Sequence, residues 1–253
     1  MIFRLGRHQQ TLASSVPGLT AQYNEYGFAM VVADGIGATG AGEVASRLAI
    51  ETLVHLVLHF GKWNLRIDDQ IAKEVMERAE KFYRHIDSAV VHRQRKHASS
   101  LQTTLTATFG AGRDMFFAHV GHSRAYLFRG GRLMRLTRDH TIGRGGTSTV
   151  DLAPLVDVNR TARDLKHILT DTIGMRGSSG PRIDLERFTL DNLDCVLVCT
   201  NGLTDAVEER EIAEMLASES SPDSQCRELV DLAIDRGGED DVTVLMARYH
   251  IPD

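Results

Sequence analysis

Residues 30–46 read Met-Val-Val-Ala-Asp-Gly-Ile-Gly-Ala-Thr-Gly-Ala-Gly-Glu-Val-Ala-Ser. An apolar run, Phe28 to Ala33, ends in Asp34-Gly35, a turn carrying Gly37, Gly40 and Gly42 follows, and a helical pattern opens at Glu43. One carboxylate at a strand end, beside backbone that turns freely, is a seat for a hard cation: the Asp34 oxygens and the Gly35 carbonyl are both oxygen ligands. The same residues also suit an ordinary strand–turn–helix connection. They are not a nucleotide-binding P-loop, which needs G-x-x-x-x-G-K-[ST], because the turn has no lysine.

Outward from this stretch the period of the apolar positions sorts the chain. Val44, Leu48, Leu53, Leu56, Val57 and Phe60 suit an amphipathic helix over 43–60. Ile71, Val75, Ala79, Phe82, Ile86 and Val90 mark a second over 69–97. The basic end of that helix, from His92 to His97, suits a helix C-terminus, with a docking patch as the rival reading. After residue 100 the period becomes two. Short strands are predicted over Leu101–Phe109, Met115–Val120, Arg124–Phe128 and Arg132–Leu136, with Gly130-Gly131 turning the last pair into a hairpin. Residues 143–162, rich in Gly, Ser and Thr, read as a surface loop. Residues 183–190 and 194–200 read as a further strand pair, Glu211–Ala217 and Ser224–Arg236 as helices, and Val242–Tyr249 as a closing strand. This order suits antiparallel sheets covered by helices rather than alternating βαβ units. With neither repeat nor linker, residues 1–253 read as one domain.

The bulk properties exclude several classes. A net charge of −5 gives no basis for nucleic-acid or membrane binding. No segment reaches the length of a membrane span, and the N-terminus lacks the apolar core of a signal peptide. Cys195 and Cys199, at i and i+4 of a strand, lie about 13 Å apart and cannot pair with each other. Buried thiols in a cytoplasmic protein are the expectation.

Four separated segments each set polar or acidic residues at the edge of an apolar strand: Asp34-Gly35, Val120 to Tyr126, Leu197 to Asp205 and Gly238 to Val244. Strand ends converging from two sheets would line a pocket with carboxylates, suited to Mg²⁺ or Mn²⁺. The stretches A-D-G-I-G-A-T-G-A-G-E-V-A-S, Q-T-T-L-T-A, A-H-V-G-H-S-R-A-Y-L, R-L-T-R-D-H-T, L-V-C-T-N-G-L-T-D and D-D-V-T-V follow one another in order. In them the chain resembles the metal-dependent Ser/Thr protein phosphatases of type 2C, in their short bacterial form. The resemblance implies an α+β fold, an α-β-β-α sandwich with two central antiparallel sheets flanked by helix pairs. It also implies two metal ions at one end of the sandwich that activate a water to attack a phosphoserine or phosphothreonine.

Carried over residue by residue, the resemblance assigns Asp34 to the carboxylate bridging both metals and Gly35 to the carbonyl ligand. Asp240 takes the place of the acid in the family's D-N pair, and Asp205 that of the second acid of D-G-x-x-D. Other positions depart from the pattern. Asn201 and His122 stand where the family has Asp, and Thr39 stands where a His is common. The N-terminal R-x-x-N-E-D element has no counterpart beyond Arg4, which would clamp phosphate. Each lost carboxylate removes several kcal/mol, in order of magnitude, of attraction for a divalent ion at an effective dielectric of about 20. The metal set Asp34, Gly35, Asn201, Asp205 and Asp240 is therefore expected to hold Mn²⁺ or Mg²⁺ weakly or with partial occupancy. The expected function is that of a pseudophosphatase or weak phosphatase of Ser/Thr phosphosignalling that binds a phosphoprotein or kinase. An active phosphatase with an altered metal set is the alternative. A zinc enzyme built on His119, His122 or His140 is a third reading, without the ligand spacing that would support it.

Overall fold

The computed structural model describes residues 1–10, 22–37, 40–61, 67–97, 100–142, 168–175 and 179–251. Its eleven described strands are β1 (Ile2–Gln10), β2 (Gln22–Val32), β3 (Gly35–Ile36), β4 (Gln102–Thr103), β5 (Leu105–Ala111), β6 (Asp114–Val120), β7 (Arg124–Arg129), β8 (Arg132–Arg135), β9 (Asp184–Thr189), β10 (Cys195–Cys199) and β11 (Val244–Arg248). Two long helices, α1 (Ala41–Phe60) and α2 (Asp69–His97), precede β4, while α3 (Asn201–Ala206), α4 (Glu209–Leu216) and α5 (Pro222–Asp235) lie between β10 and β11. The strands form a five-stranded sheet in the order β1-β2-β5-β6-β9, a four-stranded sheet in the order β11-β10-β7-β8, and the small pair β3-β4. Every pairing is antiparallel.

Three apolar clusters give four layers. Val31, Leu105, Ala118 and Val120 of the larger sheet pack against Ala45, Ala49 and Leu53 of α1 and Tyr83, Ile86 and Val90 of α2. Met30, Val32 and Met115 meet Ala125, Leu127, Val196 and Val198 between the sheets. Tyr126, Leu197 and Cys199 lie against Leu203, Ile212 and Leu229 of the C-terminal helices. The alternation along β10 explains this: Val196 and Val198 face the other sheet, while Cys195, Leu197 and Cys199 face the helices, so the whole strand is buried. Burial of each such side chain contributes about 1.5–3 kcal/mol. The expected α-β-β-α sandwich is the fold observed.

Several local expectations change. Residues 183–190 and 194–200 do not pair with each other: β9 adds to β6 in one sheet and β10 lies between β7 and β11 in the other. The turn between them crosses the sandwich. There the buried Asp194 is held by Arg129, whose Nε lies 2.9 Å from Oδ1, and Leu193 takes a φ of 68°. The Gly130-Gly131 hairpin is as expected, with φ of 54° and 78°, the left-handed pair that a two-residue turn requires. The loop expected over 143–162 lies outside the described residues. Cys195 and Cys199 are buried and unbridged.

Candidate metal centre

Asp34 follows β2, and its backbone is fixed by hydroxyls from the Q-T-T segment. Thr103 Oγ1 donates to the Asp34 carbonyl at 2.8 Å, and the Thr104 N–H donates to the same oxygen at 2.8 Å. The Asp34 N–H donates to Thr104 Oγ1 at 3.0 Å, which in turn bonds Ser123 Oγ at 2.8 Å. Thr103, Thr104 and Ser123 are all fully buried, so these bonds form away from water. Beside them the turn after β2 packs backbone to backbone on the start of α1. A Cβ on Gly42 would stand 2.6 Å from the Gly35 carbonyl oxygen, which explains why glycine occupies both places.

The second corner is built around Thr200. Its hydroxyl donates to the Asp241 carbonyl and accepts from the Thr243 N–H, both at 2.9 Å. This ties the acidic loop before β11 to the start of α3. A Cβ on Gly202 would lie 2.6 Å from the Asp241 carbonyl oxygen, so loop and helix touch through bare backbone. Asn201, only 5% exposed, reaches across with its amide: Nδ2 donates to Asp205 Oδ2 at 3.0 Å and to Asp240 Oδ2 at 2.9 Å. Carboxylates only accept, so the amide orientation is fixed by chemistry. Its Oδ1 is buried without a hydrogen-bond partner among the described residues.

The two corners share one electrostatic field. Burial, then the negative charges of Asp240, Asp241 and Asp205, push the Asp34 carboxyl up to about 7. The charges of Asp205, Asp240 and Asp241 are thus felt at Asp34. Yet no three His, Cys, Asp or Glu side chains among the described residues close into a metal cage. Oxygen ligands and negative charge suit a hard cation, but the described side chains do not close around one. A second ion would lack the charge that a carboxylate at 201 brings, and the Asn201 N–H groups already occupy lone pairs of Asp205 and Asp240.

The remaining sequence candidates fall as follows. Gly35 lies in β3, opposite Thr103 of β4. Arg4 lies in β1 opposite Phe28, and its side chain is outside the described part of the structure, as is Thr39. His122 is the middle residue of the turn from β6 to β7, and both its neighbours touch Thr104: Ser123 by its hydroxyl, Gly121 by close packing. His119 and His140 have their rings 4.9 Å apart but do not offer a zinc site. His119 donates from Nε2 to the Arg138 carbonyl and accepts at Nδ1 from Thr106, while His140 accepts at Nδ1 from Gly121 N–H and donates from Nε2 to Asp184. All four ring nitrogens are engaged. Sequence reasoning missed the supporting residues Thr103, Thr104, Ser123 and Thr200, and the field contribution of Asp241. Their signal was hydroxyl residues at the margins of apolar strands, where a buried backbone group needs a partner.

A sandwich of two antiparallel sheets between helix pairs, with carboxylates gathered at one end, defines the architecture of the metal-dependent phosphatases. Residues 18–229 match the sequence profile of Protein phosphatase 2C, and the chain belongs to this family. It is 31% identical over 224 residues to the serine/threonine protein phosphatase PstP of Mycobacterium tuberculosis, an alignment covering 86% of this chain and 40% of PstP. The chain therefore spans well under half the length of that relative. The serine/threonine phosphatase Stp of Listeria welshimeri is 28% identical over 232 residues, 88% of this chain and 84% of Stp. Among solved structures, that of M. tuberculosis PstP superposes with a TM-score of 0.69 at 25% identity over 98% of this chain and 99% of its own. The PstP catalytic domain in complex with two manganese ions superposes with a TM-score of 0.66 at 27% identity, covering 98% and 97%. No described helix is long and apolar enough to cross a membrane.

Proposed function

We propose that this chain is a pseudophosphatase or weak phosphatase of Ser/Thr phosphosignalling, acting by binding a phosphoprotein or kinase partner. The observation that carries the reading is the Asn201 amide, whose N–H groups hold Asp205 and Asp240 where the family pattern sets a further carboxylate. A neutral group that donates to two acids lessens their mutual repulsion without a cation, and so lessens the pull on one. Asp34, Asp240 and Asp205, with the Gly35 carbonyl and Asn201 Oδ1, would hold one Mn²⁺ or Mg²⁺ weakly. When bound, that ion supplies a Lewis acid for the phosphoryl oxygens. A phosphate dianion cannot approach four clustered carboxylates unaided, so phosphopeptide binding should strengthen when Mn²⁺ is added. Arg4 is the proposed phosphate clamp.

A second reading, an active phosphatase with an altered metal set, draws on two facts. The relatives above are named as phosphatases, and the Asp34 carboxyl is raised by burial and then by the charges of Asp240, Asp241 and Asp205, which a cation would relieve. One experiment separates the two: turnover of a phosphothreonine peptide by the purified chain across a Mn²⁺ series, beside binding of the same peptide. Background turnover with measurable binding is expected. Robust Mn²⁺-dependent turnover would establish the second reading instead.

A further inference from the structure

A separate set of ligating groups lies at the other end of α1. His55 and His59 stand one helical turn apart, both exposed, with ring centroids 4.1 Å apart and planes inclined by 29°. At 1.5 Å per residue they lie about 20–25 Å along the helix from Gly42, where α1 meets the acidic centre. His59 Nδ1 is 2.8 Å from the His55 carbonyl oxygen. A carbonyl has no proton to give, so Nδ1 carries the proton and Nε2 the bare lone pair. Metal-ligating histidines are oriented in this way, one ring N–H tied to an oxygen and the other nitrogen free to bind.

One feature of the surroundings favours a cation there. The pair occupies the last turns of α1, where the helix dipole is negative. Arg78 bonds the Phe60 carbonyl at 3.2 Å and sets a positive charge at the same helix end, which a bound ion must overcome. Glu51, one turn earlier, is also exposed, but it does not close a set of three.

We propose that His55 and His59 form a surface site for a borderline divalent transition ion, Cu²⁺, Ni²⁺ or Zn²⁺, with water completing its shell. Two histidines at i and i+4 on one helix face span a single ion. Nitrogen ligands select this class against Mg²⁺ and Mn²⁺, which the oxygen-rich acidic centre prefers, and within the class Cu²⁺ binds tightest.

The test is calorimetry of the full chain with Cu²⁺, Ni²⁺, Zn²⁺ and Mn²⁺ in turn. The proteins compared are the parent, His55→Ala, His59→Ala and Asp34→Asn. Each histidine variant should weaken Cu²⁺ and Ni²⁺ binding at least tenfold and leave Mn²⁺ binding alone, while Asp34→Asn does the reverse. Electron paramagnetic resonance of the Cu²⁺ complex should show two imidazole nitrogens in the parent and one in either variant. Because both side chains are exposed, the metal-free melting midpoint should not move. If it does, His→Gln variants replace the alanines. Cu²⁺ and Ni²⁺ binding that survives both histidine changes, or that falls equally in Asp34→Asn, overturns the site.

Discussion

The two corners of the acidic centre were built to different rules. At the Asp34 corner the backbone N–H and carbonyl of Asp34 have buried hydroxyl or amide partners, and the carboxylate is left to face the charges of Asp240, Asp241 and Asp205. At the Asn201 corner the scaffold is equally tight, with Thr200 bonded on both sides, but at its tip the Asn201 amide N–H groups bond the two acids while its Oδ1 stays unpartnered. Backbone bonds can therefore hold the geometry of such a corner whatever side chains stand at its tip. Geometry is held by backbone bonds and close glycine packing, while charge depends on single side chains that change without disturbing either.

The largest effect should come from removing that difference. Asn201→Asp turns two stabilising N–H donations into carboxylate repulsion, so the metal-free protein should melt lower. Mn²⁺ affinity should rise roughly a hundredfold, since a full charge near a divalent ion contributes several kcal/mol at an effective dielectric of about 20. His122→Asp alone should do less. Together the two changes should exceed the sum of the single effects, because both act on shared cations. Calorimetry on the parent, both singles and the double measures this. Unchanged Mn²⁺ affinity in Asn201→Asp would mean that charge at this corner does not limit binding.

Next in size is acid sensitivity behind the Asp34 corner. His119 is buried, and that burial, with the neighbouring His140, pushes its pKa down to about 3. The unfolded chain takes up a proton near 6.5 that the folded one refuses until about 3, so stability must fall as pH drops through that window. The slope approaches about 1.4 kcal/mol per pH unit, a few kcal/mol in all as an upper bound. Asp34 acts oppositely: its carboxyl is raised from 3.8 to about 7, so metal-free stability gains as pH falls through that range. The readout is thus the difference between parent and His119→Gln in denaturant midpoints from pH 7 to 4. A constant difference would show that the folded His119 titrates normally.

How much of this was legible in sequence follows from where the physics is local. The long amphipathic helices and the central strands carry their period in every residue, so α1, α2, β6 and β10 were evident. In Ile2–Gln10 only Ile2, Phe3 and Leu5 are apolar, and that edge strand gave no signal. The six-residue α3 was hidden inside a motif. β9 and β10 looked like a hairpin because they are neighbours in the chain. What separates them is the Asp191–Asp194 turn, pinned by Arg129 and by a Leu193 N–H bond to the Tyr249 carbonyl, and such long-range partners leave no local trace. The acids of the site were readable as strand-end motifs. The hydroxyls beneath them were not, because a buried threonine and a surface threonine look alike until the partners are known.

The smallest expected effect tests the scaffold of the Asp34 corner alone. Thr104→Val keeps the shape of a fully buried side chain and removes one hydroxyl, leaving the Asp34 N–H and the Ser123 hydroxyl without their partner. Leaving such groups unsatisfied costs about 1–3 kcal/mol. Thr104→Ser restores the hydroxyl but loses a methyl group, costing on the order of 1 kcal/mol. If the hydroxyl network sets the position of Asp34, the valine variant should lose Mn²⁺ affinity as well as stability, while the serine variant loses stability only. Denaturant unfolding beside Mn²⁺ calorimetry reads both quantities on the same samples. Equal Mn²⁺ affinity in all three proteins would mean that the close packing of Gly35 on Gly42 suffices to hold the carboxylate, and that the two corners differ less in construction than their hydrogen bonds suggest.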